Sequence, residues 1–313
     1  MPFLPATGRR SSRLLATAVA FAATAVTVSA ALAGPASAMT AATGPAATTS
    51  SAAGGAQSSH HGNAVTLAST ISLIAADDCS ATLVRYPTSR SKDPALMLTN
   101  GHCWEEVFIM PGVVLTDLPS SRSGDIYDAD GQTVGQVHTD RLLYATMTGT
   151  DIALYRLTQT YSEIQHATGL KPLTISGTHP VDGRDISIPS GYSKIVYSCQ
   201  INGFADTVHE AIWTWRDSIR YDPTSNCQLV GGTSGSPLVD NKSGKVVGIN
   251  NTANVDGLQD CEINNPCEVQ PDGSTKAYQG EGYGQETYWI TTCLDHNVLD
   301  LNKAGCLLPK PQA

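Results

Sequence analysis

The sequence predicts an all-β protein of sandwich or barrel type, carried by residues 64–310. Three observations support this. Short apolar runs of strand length recur at 65–74, 81–84, 95–98, 107–109, 134–137, 152–157, 186–188, 195–197, 238–239 and 246–249, broken by Gly, Pro, Asn, Asp and Ser. Long helical periodicity is scarce, and its clearest instance, 291–302, is short. The dipeptides Asp130-Gly131 and Asp272-Gly273 fit hairpin or loop tips.

Two segments of a different kind precede this body. Arg9, Arg10 and Arg13 give a positive start without an acid, and residues 14–33 are apolar and uncharged. Ala36-Ser37-Ala38 then offers a small-residue cleavage site, so residues 1–38 read as a secretory signal peptide. A membrane anchor is the competing reading, disfavoured by Gly34-Pro35 and the cleavage site that follow at once. Residues 39–63 are mostly Ala, Thr, Ser and Gly with no Asp, Glu, Lys or Arg. Such a stretch buries no core and reads as a linker or pro-segment. Removing the signal takes away three arginines and no acid, moving the formal charge from −9 to −12. That balance argues against nucleic acid and anionic membrane as partners.

Eight cysteines all fall after the linker: Cys79, Cys103, Cys199, Cys227, Cys261, Cys267, Cys293 and Cys306. An even count in an exported chain predicts four disulfides. Count alone leaves the connectivity open, with pairing of sequence neighbours the simplest arrangement. No Cys-x-x-Cys or Cys/His cluster has zinc-ligand spacing, so no metal and no cofactor is expected.

Three segments carry chemistry when taken together: Thr-Asn-Gly-His-Cys at 99–103, Gly-Thr-Asp-Ile-Ala-Leu at 149–154, and Gly-Gly-Thr-Ser-Gly-Ser-Pro at 231–237. A serine hydroxyl is a weak nucleophile until a base takes its proton. The base needs a carboxylate to fix its tautomer, and the developing oxyanion needs backbone N–H donors. His102, Asp151 and Ser234 supply these types in that chain order, separated by 49 and 83 residues.

On these motifs the chain resembles the trypsin/chymotrypsin superfamily, in particular its bacterial secreted branch. The resemblance covers about residues 65–308. It implies two six-stranded antiparallel β-barrels, about 64–165 and 166–310, with the active site in the cleft between them and a short C-terminal helix. It implies Ser234 as nucleophile, His102 as base, Asp151 as its orienting acid, and the N–H groups of Gly232 and Ser234 as oxyanion hole. A Cys79–Cys103 disulfide clamping the histidine loop is part of the same pattern. The function it implies is that of a secreted, extracellular serine endopeptidase, acting as a monomer on protein or peptide substrates. A catalytically silent binding protein on the same fold is the alternative. An α/β-hydrolase esterase is disfavoured, because its nucleophile elbow needs Gly where Ser236 stands.

Departures from the pattern are informative too. Thr233 replaces the aspartate that pairs with a newly cut N-terminus in trypsin's kin, so no such switch is expected. By offset from Ser234, the specificity pocket should have Gln228, Leu229 and Val230 at its base and Ile249 to Ala253 as its opposite wall, with Gln228, Leu229 and Asn250 the residues singled out. No Asp lies at its base, which disfavours trypsin-like Arg/Lys preference. Asn250 stands where the glutamyl endopeptidases usually carry His, which weakens a Glu-specific reading. The acidic, Asn-rich loop from Cys261 to Cys267 is a candidate calcium site, with a solvated disulfide loop the favoured reading.

Overall fold

The structure is a computed structural model and describes residues 64–73, 79–222, 224 and 226–312. The predicted signal peptide and linker lie outside the described residues.

Strands β1 (Thr70–Leu73), β2 (Ser80–Arg85), β3 (Pro94–Thr99), β4 (Val114–Pro119), β5 (Ser123–Tyr127), β6 (Thr133–Thr146) and β7 (Ile152–Thr160) build the first sheet. Its order is β1-β5-β6-β7-β3-β2, and β2 returns to pair with β1, so six strands close into an antiparallel barrel. Strand β4 adds to β6, and β8 (Leu173–Thr174) runs parallel to β2. A second barrel follows, from β9 (Asp185–Ser190), β10 (Ile195–Glu210), β11 (Trp213–Tyr221), β12 (Pro237–Asp240), β13 (Val246–Ala253) and β16 (Gly282–Glu286). Its order is β11-β16-β13-β12-β9-β10, closed by β10 on β11. The short strands β14 (Cys267–Val269) and β15 (Thr275–Lys276) extend β10 outward. Closure leaves neither six-strand core with an open edge.

Period-two alternation explains why β3 and β7 read as unbroken apolar runs. Met97, Ala153, Tyr155 and Leu157 point into the first barrel beside Ile71, Leu83, Ile126 and Leu142. Leu96, Leu98, Ile152 and Leu154 point the other way, where Ile290, Cys293, Ile249 and Leu308 cover them. Both faces are therefore buried, and each large apolar side chain so covered is worth about 1.5–3 kcal/mol. The second barrel has its own core of Ile186, Ile188, Ile219, Tyr221 and Leu238.

Two helices are present among the described residues. α1 (Tyr161–Thr168) is bounded by a capping box, Thr160 with Glu163, and by Gly169 in the left-handed region at its C-terminus. α2 (Tyr288–Thr292) is the expected short C-terminal helix, but it ends where the periodicity placed its start. Most of 291–302 is instead a hairpin, β17 (Leu294–Asp295) and β18 (Val298–Leu299), turned by His296 and Asn297 at φ 46° and 67°. The run 107–109 is a loop rather than a strand. Asp130-Gly131 and Asp272-Gly273 do sit at the β5–β6 and β14–β15 tips.

All four disulfides join sequence neighbours: Cys79–Cys103, Cys199–Cys227, Cys261–Cys267 and Cys293–Cys306.

Candidate active site

His102 lies in a single 3₁₀ turn, Gly101–Cys103, directly after β3, and Asp151 immediately precedes β7, the strand paired with β3. Adjacent strand ends thus bring together residues 49 apart. His102 Nδ1 is 2.7 Å from Asp151 Oδ2, and the His102 backbone N–H donates to Asp151 Oδ1 at 2.9 Å. Because the carboxylate only accepts, Nδ1 is the donor in this contact. Asp151 is fully buried, so its oxygens need these protein donors in place of water. Gly101 permits the close approach: a Cβ there would stand 2.1 Å from Thr146 O and 2.9 Å from Asp151 Oδ1. Disulfide Cys79–Cys103 ties the turn to the start of β2.

The second barrel fixes the same acid from the other side. Gly149 N–H donates to Thr214 O at 3.0 Å, and Arg216 N–H donates to Gly149 O at 2.9 Å, docking the loop before Asp151 on β11. Phe108 packs edge-on against both His102 and Trp213, with ring centroids 6.2 and 5.6 Å apart.

Ser234 sits in the turn that leads into β12. Its hydroxyl donates to Asn251 O at 3.3 Å. The turn is held from the first barrel by Ser80, whose N–H donates to Ser234 O at 2.8 Å and whose hydroxyl donates to Gly232 O at 3.0 Å. Ser80 Oγ in turn accepts from Tyr192 N–H at 3.1 Å and lies 2.9 Å from Ser190 Oγ. Gly232 has φ 88°, and a Cβ there would stand 2.1 Å from the Tyr192 ring, so only glycine fits. Neither the Gly232 nor the Ser234 N–H has a hydrogen-bond acceptor among the described residues.

A cavity of about 200 Å³ gathers His102, Asp151 and Ser234 in one lining, with Phe108, Trp213 and Trp215 as apolar walls. A larger groove of about 1710 Å³, between residues 86–96 and the β17–β18 hairpin, contains none of the three.

A family model described as a trypsin-like peptidase domain matches residues 82–249, more than half of the chain. The chain belongs to the trypsin-like peptidase family. No curated protein matches it. Among solved structures it is similar to the MamO protease domain of Magnetospirillum magneticum, at 14% identity, covering 75% of this chain and 99% of that one, with a TM-score of 0.45. It is also similar to the Rv3671c protease of M. tuberculosis in an inactive form, at 12% identity, covering 71% and 85%, with a TM-score of 0.39. A Nocardiopsis protease matches at 15% identity, covering 66% and 85%, with a TM-score of 0.36.

Within this trypsin-like domain the three residues expected at the specificity pocket take separate places. Gln228 is exposed, Leu229 is half-buried against the second core, and none of the three lines the 200 Å³ cavity. Asn250 is buried, with its Oδ1 accepting from Tyr221 OH and its Nδ2 donating to Thr233 Oγ1 at 3.0 Å.

Sequence reasoning missed Glu210, the last residue of β10, which lines the cavity with the trio. Its Oε1 accepts from Asn264 N–H at 2.6 Å and from Thr252 Oγ1 at 3.1 Å. Burial pushes its carboxyl up from 4.5 to about 7, despite those bonds and the nearby His102. Glu210 also anchors the loop closed by Cys261–Cys267, whose Ile263 and Asn264 complete the cavity. Glu268, the residue after Cys267, is taken by Arg220 at 3.1 Å and Tyr283 OH at 3.0 Å.

Proposed function

We propose that this trypsin-like domain is an active, secreted serine endopeptidase that cleaves protein or peptide substrates through an acyl-enzyme. The observation that carries the proposal is the 2.7 Å His102–Asp151 contact opening on the same cavity as Ser234. In this reading His102 Nε2 takes the Ser234 proton as Oγ attacks the scissile carbonyl, and then returns it to the leaving amine. Asp151 holds the tautomer and stabilises the imidazolium. The Gly232 and Ser234 N–H groups receive the oxyanion, which is why their lack of an acceptor among the described residues supports the assignment. The long Ser234–Asn251 bond holds the hydroxyl weakly, and catalytic hydrogen bonds in substrate-free sites commonly tighten only on binding.

Four disulfides support an oxidising, extracellular setting. They accord with cleavage of the leader after Ala38 and with a domain beginning near residue 64. Glu210 refines the substrate class. Once ionised it makes the cavity anionic, so an acidic substrate side chain there is disfavoured.

A fluorophosphonate probe, which phosphonylates an activated serine with loss of fluoride, tests the proposal. Stoichiometric labelling at Ser234, lost in both Ser234→Ala and His102→Ala, is the expected outcome. A folded, oxidised chain that takes no label would instead favour the silent binding protein.

A further inference from the structure

A second constellation lies outside the catalytic cavity, where the middle of β11 faces the end of β16. His179, from the segment between β8 and β9, meets Asp217 of β11 and Glu286 of β16. His179 Nε2 is 3.0 Å from Glu286 Oε1 and 3.6 Å from Asp217 Oδ1, and one ligand atom from each residue lies within 4.8 Å of the others.

Their hydrogen-bond inventory is unbalanced. His179 Nδ1 is 2.7 Å from Pro180 O, a group that only accepts, so Nδ1 is the donor there and Nε2 is the ring nitrogen turned toward the two acids. Glu286 is only 1% exposed at its side chain, and neither of its oxygens has a hydrogen-bond donor among the described residues. With Asp217 included, one imidazole nitrogen and two carboxyl groups converge on one point. A buried carboxylate left so is costly unless a cation meets it.

We propose that His179, Asp217 and Glu286 bind one divalent transition-metal ion, of the zinc type. One imidazole nitrogen and two carboxylate oxygens are a zinc donor set, each ligand standing about 2.0–2.2 Å from the ion. The Nδ1–H bond to a backbone carbonyl is the outer-shell contact that orients metal-binding histidines. His179 and Asp217 have side-chain exposures of 42% and 37%, which gives the ion an entry path and room for water as further ligand. Packing of the His179 ring on Phe204 and Tyr288, at centroid distances of 4.4 and 5.6 Å, holds it in place. None of the three residues lines the catalytic cavity, so the ion would be structural, pinning the segment that enters the second barrel to two of its strands.

The test uses the full chain carrying Ser234→Ala, stripped with a chelator and titrated with Co²⁺ and, separately, Zn²⁺. The expected result is one ion per chain, with a cobalt d–d spectrum of low coordination number and a zinc-dependent rise in the thermal midpoint. His179→Ala and Glu286→Gln should each weaken binding at least about 100-fold and abolish that rise. Glu286→Gln is nearly isosteric, so it decides the matter if the histidine variant does not fold. No saturable binding in the parent, or binding unchanged in Glu286→Gln, would overturn the site and leave the trio as an ordinary hydrogen-bonded cluster holding a shared proton.

Discussion

Replacing Glu210 by Gln should make the domain more stable at pH 8 than its parent. Burial holds the Glu210 carboxyl at about 7 against 4.5 for the free group. At 1.36 kcal/mol per pH unit, that separation corresponds to roughly 3 kcal/mol. The sign follows from proton counting. Between the two values the folded chain holds a proton that the unfolded chain has released, so stability falls as pH rises. The contribution is fully present below about pH 4.5 and is lost as pH climbs through about 7. Both hydrogen bonds fall on Oε1, and a glutamine oxygen accepts them equally well. The Glu210→Gln variant therefore keeps the contacts and removes the titration. The assay is urea unfolding followed by tryptophan fluorescence, in a Ser234→Ala background to prevent self-digestion. Other groups titrate in both chains, so the informative quantity is variant minus parent. It should grow by roughly 3 kcal/mol in favour of the variant between pH 4.5 and 8. A difference that stays constant with pH would refute the reasoning.

Other residues give sharper or broader effects. Asp151→Asn should lower kcat about 10⁴-fold while near-UV circular dichroism stays native, because an amide turns the imidazole to the wrong tautomer. Gly232→Ala should lower kcat about 10²–10³-fold, since a Cβ 2.1 Å from the Tyr192 ring displaces an oxyanion donor; an unchanged kcat would remove Gly232 from that role. Ser80→Ala strands the Tyr192 N–H and Gly232 O bonds of the nucleophile turn. It should cost about 2–3 kcal/mol in denaturant unfolding.

The parts of the site that sequence exposed are those written in contiguous motifs. His102, Asp151 and Ser234 each sit in a short segment whose residue types have one joint chemical use, and their order restricts the fold. The strands followed from apolar runs, since β3 and β7 bury both faces. What failed was local. The stretch 291–302 has helical spacing, yet His296 and Asn297 take left-handed φ values and the Cys293–Cys306 disulfide ties the hairpin down. Helix α1 was announced by Thr160, Glu163 and Gly169, a capping box and a left-handed stop that an eight-residue element makes easy to pass over. Glu210 carries no motif. It follows His102 by 108 residues and reaches the cavity only because the β10–β11 hairpin folds back past Trp213. His179, Asp217 and Glu286 are likewise joined by strand pairing, at separations no linear metal pattern contains.

Cleavage of a mixture of denatured proteins by the purified, oxidised mature chain, with Ser234→Ala beside it, tests the central claim most directly. New peptide termini should be made by the parent alone, with few acidic residues before the cut when the reaction is run above pH 7. Equal, background cleavage by both folded chains would contradict it, and would leave a trypsin-like domain that binds without cutting.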